Sequence, residues 1–229
     1  MAKNVYAVRG HEDEDTGERV AGGVLYSDWP SCQEVVAGTS RPYKGFYARE
    51  NALEWLDNSI FRTDIDPESH DGLIYYTDGS GSHATEKAAW AFALFDNRSG
   101  GETLVEIAAG IVPSPVSGKA NIVAEVMAAR EALRDGQARH DPEGPGVLIV
   151  HDYTGVAHFA EGEWDVTTHP VVEGYHDLCT QPEYQDAVAG FWHVEGHTGV
   201  RGNEIADVAA WNARMLAEDN ATVHPKIST

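Results

Sequence analysis

Four carboxylates stand where metal chemistry would want them. Asp78 ends the apolar run "LIYYTD" and Asp152 ends another, "GVLIVHD". Glu125 lies in "IVAEVMAA" and Asp207 in "EIADVAA", each among small apolar neighbours with helical spacing. A carboxylate in a low dielectric costs on the order of several kcal/mol unless it is paired or bound to a cation. No Arg or Lys stands in obvious position to pair with them. Four such groups brought together would repel one another, and a hard divalent cation such as Mg²⁺, which takes a few carboxylates plus waters, resolves that repulsion. Taken singly, each acid reads as a turn residue, a helix cap or a solvated surface group. A flexible loop, "GHTGVRGNE", places His197 shortly before Asp207. By itself His197 reads as a solvated loop histidine, and His151, His158 and His193 read as structural or surface residues.

The pattern around the acids predicts the elements that position them. Strands are expected at 72–78, 88–95 and 103–112, joined by the turn-rich "GSGSHATEK" and "DNRSGG". "KANIVAEVMAAREALRDGQARH" predicts a helix with Ile122, Val126, Ala129 and Leu133 on one face and Gly136 weakening its end. "GVLIVHD" and "GFWHVE" read as buried strands, and 153–180 as interrupted helix. "NEIADVAAWNARMLAE" reads as a closing helix. Strands first, then alternating helix and strand, imply an α/β fold with a mixed five-stranded sheet flanked by helices. Residues 1–57 read as a smaller α/β module, 58–70 as a linker, 71–216 as the main domain and 217–229 as a polar tail. In the module, "NVYAVRG", "VLYS" and "RPYKGFY" are expected strands, "HEDEDTGERVAGG" a loop, and "DWPSCQEVVAG" and "ARENALEWLD" helices.

Composition narrows the classes. Hydrophobic residues make up 42% of the 229, enough for a core. No apolar run approaches the ~20 residues of a membrane span, and "MAKNVYAVRG" lacks the apolar segment of a signal peptide. The expectation is a cytoplasmic monomer with no membrane association and no evident protein partner. Two isolated cysteines, Cys32 and Cys179, argue against a disulfide framework or a zinc site. The formal net charge of −21 fits a protein that avoids polyanions, or one kept soluble in a salty cytoplasm. It does not exclude a nucleic-acid substrate, provided that metal-bearing or basic spots receive it.

"YYTDGSG", "NIVAEVMAAREAL", "VLIVHDYTGV" and "HVEGHTGVRGNEIADVAA" together resemble type 1 ribonuclease H. That family carries its acids in the chain order Asp, Glu, Asp, Asp, on the first strand, the first helix, after the fourth strand and on the closing helix. Asp78, Glu125, Asp152 and Asp207 match them, and His197 matches a histidine on a mobile loop. The resemblance implies an endonuclease that hydrolyses the RNA strand of an RNA–DNA hybrid, leaving 5′-phosphate and 3′-hydroxyl ends. It also implies two Mg²⁺ ions, with Mn²⁺ as a substitute. Asp78 would serve both ions, Glu125 and Asp152 the leaving-group side, and Asp207 the side of the attacking water. His197 would assist proton movement or product release. Gly79 and Ser80, in a turn of small residues running to Ser82, would let the backbone approach a sugar-phosphate chain. Asn121 would read the RNA minor groove. Trp164 would pack on the DNA strand, although it reads equally as a core residue. Ala120 stands near the place of the family's phosphate-binding threonine, a departure on the DNA side.

"VYAVRG", "GGVLYSDWPSCQEVVAG" and "YKGFYARENALEWL" resemble the viroplasmin-like hybrid-binding domain that precedes many of these enzymes. Tyr6, Trp29 and Tyr43 would pack on deoxyriboses and Lys44 would meet a phosphate. The family's basic turn is replaced here by an acidic one, and its second lysine by Gly45. Weak or salt-adapted binding is expected, because phosphate contacts lose affinity with rising salt. Two other readings stay open. One is a non-catalytic binder of hybrid or double-stranded RNA. The other is an interaction domain whose acids form a solvated surface.

Overall fold

The computed structural model describes residues 3–9, 17–20, 23–37, 43–57, 65–98, 100–113, 116 and 118–218. The acidic run 11–16, Gly38, the linker stretch 58–64 and the tail 219–229 lie outside these residues. The chain divides into two compact units, residues 1–59 and 60–229.

The front unit has four strands, β1 (Val5–Arg9), β2 (Glu18–Val20), β3 (Gly23–Tyr26) and β4 (Tyr43–Phe46), in the order β2-β3-β1-β4. All pairs are antiparallel. β2 falls in the segment read from sequence as a loop. Its few ordered residues are hidden there by the charged run before them. Helix α1 (Trp29–Val36) starts on Asp28, whose Oδ1 accepts from the Ser31 amide at 2.9 Å, with Pro30 in the first turn where its missing N–H does no harm. Its Cys32 and Val36 bury against Val8, Val24 and Tyr26. Helix α2 (Arg49–Asp57) buries Ala52 and Leu56 against Ala7 and Leu25, which alternate to the opposite face.

The second unit is built on β5 (Leu73–Gly81), β6 (Ala88–Asp96), β7 (Thr103–Ile111), β8 (Val147–His151) and β9 (Val188–His193). Their order is β7-β6-β5-β8-β9. The first three form an antiparallel meander, whereas β8 runs parallel to β5, and β9 parallel to β8. Alternation along β5 sends Tyr75 to one face and Ile74 and Tyr76 to the other. The Tyr75 face packs on α3 (Ala120–Arg139), α4 (Gly155–Ala160) and α5 (Pro170–Cys179). The Tyr76 face receives α7 (Arg201–Ala217), through Ile205 and the preceding Val200. A short α6 (Pro182–Ala187) leads into β9. No described helix is long and apolar enough to cross a membrane.

Three local expectations change. β5 continues to Gly81, so Gly79 and Ser80 are strand residues and not a turn. Helix α3 runs through Gly136 to Arg139. A side chain at Gly136 would meet Val147 at 2.9 Å, so the glycine, expected only to weaken the helix end, serves a close helix–strand crossing. Pro67 and His70, read as linker, are buried in the second unit, where Asn97 donates to the His70 carbonyl at 2.8 Å.

Candidate active site

The site exists because β8 is shorter than β5. The two strands pair only from Ile74↔Leu148 to Thr77↔His151. Beyond that, Asp78 has β6 on one side and no strand on the other. Asp152 leaves the sheet at the same level, directly after β8. Gly79 and Gly81 let α3 cross β5 at contact distance. A Cβ at Gly79 would lie 2.3 Å from the Glu125 amide nitrogen, and one at Gly81 would lie 2.4 Å from the Ala120 carbonyl carbon. The small residues after Asp78 thus bring Glu125 to it.

On the other face, α7 approaches through Gly202, whose Cβ would stand 2.1 Å from Tyr76 Cδ2. G202A therefore forces the helix off the strand and is expected to destabilise the unit by about 1–3 kcal/mol. Its thermal midpoint should fall by several degrees, and nuclease activity should fall with it because Asp207 moves. A melt that matches the wild type would refute this account of the glycine.

Asp78, Glu125 and Asp152 each present a ligand oxygen, all within 4.8 Å of one another. His197, Glu204 and Asp207 form a second such group. Asp78 links the two, since it feels the charges of both Asp152 and Asp207. Burial, then those charges, push the Asp78 carboxyl up to about 8. Burial, then the Asp78 charge, hold Glu125 well above the usual carboxylate range. Burial also raises Asp207, with His197 opposing the rise. Asp78 Oδ1 accepts from the Gly79 amide at 2.6 Å. Glu125 Oε2 is buried with no hydrogen-bond partner among the described residues. An orphaned carboxylate oxygen among converging acids fits a hard divalent cation, and oxygen donors are what such a cation takes.

His197 is exposed and holds a left-handed backbone, φ 57°, with Gly199 at φ 85° beside it. Its Nδ1 stands 3.8 Å from Asp207 Oδ2. Sequence reading missed Glu204 and Asn203. Glu204 lies three residues before Asp207, on the same helical face, and that spacing was the available signal. Asn203 Nδ2 donates to Asp152 Oδ2 at 3.1 Å. Ser80 points away from α3, and its hydroxyl accepts from Arg214 Nε at 2.9 Å. Asn121 is exposed in the first turn of α3, beside Gly81. Trp164 is 40% exposed, so it is not a core residue. It stacks on His158 at 4.5 Å and meets Phe159 and Tyr153 edge-on. His151 is buried, His193 exposed, and His193 Nε2 lies 2.9 Å from the Asp152 carbonyl oxygen.

In the front unit, Tyr6, Trp29 and Tyr43 form a continuous strip, with ring centroids 5.5 and 5.3 Å apart. Lys44 is not on it. Strand alternation sends Lys44 to the opposite face, with Phe46, whose ring centroid is 5.9 Å from the lysine Nζ.

Comparisons with known proteins agree with this architecture. The family model described as RNase H matches residues 70–215. A comparison with curated proteins returns no match. Among solved structures, RNase H1 of Halobacterium salinarum is 22% identical, over 64% of this chain and 98% of its own, with a TM-score of 0.47. The N-terminal RNase H domain of a Mycobacterium tuberculosis protein is 16% identical, over 66% and 99%, with a TM-score of 0.50. A foamy viral protease-reverse transcriptase in complex with RNA/DNA hybrid is 14% identical, over 68% and 21%, also at 0.50. The family match spans more than half the chain and contains every acid that converges on Asp78, so the chain belongs to the RNase H family and is a ribonuclease.

Proposed function

We propose that this ribonuclease hydrolyses the RNA strand of RNA–DNA hybrids at two Mg²⁺ ions, leaving 5′-phosphate and 3′-hydroxyl ends. The observation that carries the reading is the convergence of Asp78, Glu125 and Asp152 within 4.8 Å of one another. Asp78, Glu125 and Asp152 would hold one ion, and Asp78 with Asp207 the other. Bound there, the metal supplies an activated water and charge stabilisation for the leaving 3′-oxygen. The residues do the rest. Asp78 fixes the spacing between the two halves of the site. Glu204 adds negative charge beside Asp207. His197, on its exposed loop, would assist proton movement or product release. Asn121 would meet the 2′-hydroxyl side of the RNA, and the exposed face of Trp164 would pack on the DNA strand. Gly79 and Ser80 would line the approach, with Ser80 tethered to Arg214.

The front unit would add a second contact with the hybrid through the aromatic strip Tyr6, Trp29 and Tyr43. Its affinity would rest on packing more than on charge, because Lys44 faces elsewhere. A foamy viral structure of similar fold holds an RNA/DNA hybrid, which supports the substrate class.

The test is a cleavage assay on labelled RNA–DNA, RNA–RNA and DNA–DNA duplexes, with Mg²⁺ or EDTA. The RNA strand of the hybrid should be cut with Mg²⁺ at least about 100-fold faster than the other duplexes, and not at all with EDTA. Cleavage in EDTA, or equal cutting of DNA, would refute the proposal.

A further inference from the structure

Asp152 is the one converging acid that lies outside the regular strands and helices. The β8–β9 ladder ends at His151↔His193, so Asp152 lies just past the last paired residue. A carboxylate's terminal torsion is broad and two-fold, and strand geometry alone does not set it. Its backbone carbonyl oxygen lies 2.9 Å from His193 Nε2. Its Oδ2 lies 3.1 Å from Asn203 Nδ2. Gly196 leaves room for that same oxygen, since a Cβ there would stand 2.9 Å from it.

Asn203 itself is only 3% exposed. A buried carboxamide is costly unless its groups are bonded, and here Oδ1 has no partner among the described residues. Good packing alone does not favour an asparagine at this place. Asn203 also sits four residues before Asp207, one helical turn away on α7. One helix therefore delivers a site acid from one turn and grips a second acid from the next.

We propose that Asn203 is a positioning residue: its amide fixes the rotation of the Asp152 carboxylate so that the acid meets a divalent cation shared with Asp78 and Glu125. The inference rests on the reading of Asp152 as a metal ligand. Groups that hold a ligand in place typically contribute roughly 10- to 100-fold to metal affinity or activity.

The experiment is calorimetric titration of the full chain with Mg²⁺ and Mn²⁺, without nucleic acid, in the wild type, N203A, D152N and the double variant. N203A should bind metal about tenfold or more weakly. The metal concentration for half-maximal cleavage should rise by a similar factor, while KM for the hybrid stays unchanged. In the D152N background, N203A should add no further loss, because both changes remove the same oriented ligand. If N203A does not fold, N203S takes its place. A lower melting temperature with unchanged metal affinity would overturn the proposal and leave Asn203 a packing residue. Losses that add in full to those of D152N would overturn it as well. Absence of metal binding by the wild type would overturn the reading of the site and this inference with it. Wild-type binding that persists in N203A would overturn this inference alone.

Discussion

Replacing Asp78 by Asn is expected to lower cleavage by at least about 10³-fold, a loss of about 4 kcal/mol of transition-state stabilisation. The side chain keeps its shape and loses its charge, so the effect is electrostatic. Asp78 is 6% exposed and is the member that couples Asp152 and Asp207. On the proposed assignment, E125Q or D207N would remove a ligand from one half of the site, whereas D78N would remove one from both. The same substitution should raise the stability of the metal-free protein near pH 8 and above. There the wild type carries a charge that burial and two neighbouring carboxylates disfavour. Paired assays of turnover and of melting in EDTA check both signs. Retention of more than a tenth of wild-type turnover would remove Asp78 from the chemistry.

The second large effect is the response of stability to metal and pH. Asp78, Glu125 and Asp207 all have their carboxyls raised, with burial as the leading cause. A carboxyl raised by folding contributes stability that is whole below its unfolded value, about 3.8 for Asp. That stability is lost as pH climbs through the folded value, about 8 for Asp78. In EDTA the protein should therefore lose stability progressively between roughly pH 4 and 8. A divalent cation reverses the loss, because it binds the charged form. Mg²⁺ at about 100 times its Kd contributes about 2.7 kcal/mol, or roughly 5–10 °C in Tm for a protein of this size. The gap between Mg²⁺ and EDTA melts should be small at pH 5 and largest above pH 8. A gap independent of pH would mean that these acids do not receive the metal. The comparison of gaps cancels the general self-repulsion of a chain with net charge −21.

The acids were legible because each breaks a rule of burial. Asp78 and Asp152 end apolar runs, and Glu125 and Asp207 interrupt apolar helix faces. The order of strands and helices followed from the same periodicities. Other features were ambiguous for definite reasons. "GSGS" after Asp78 has the composition of a turn, yet its glycines serve a helix that crosses at contact distance. That neighbour, α3, is about 40 residues further along. Asn203 and Glu204 look like ordinary polar residues in a helix's first turn, and only the docking of α7 shows that Asn203 is buried. Lys44 stands next to Tyr43 in sequence, which strand alternation turns into opposite faces. Trp164 could not be divided between core and surface until its exposed face was seen.

The approach of α7 to Tyr76 has a bearing on the life of the molecule in a cell. Asp207 and Asn203 belong to the last described helix of the unit, some 130 residues after Asp78. While the ribosome still shelters that helix, the emerging polypeptide holds only part of its cutting machinery. A nascent unit whose α7 has not yet docked on Tyr76 therefore lacks the complete acid set, and cutting must wait for that docking.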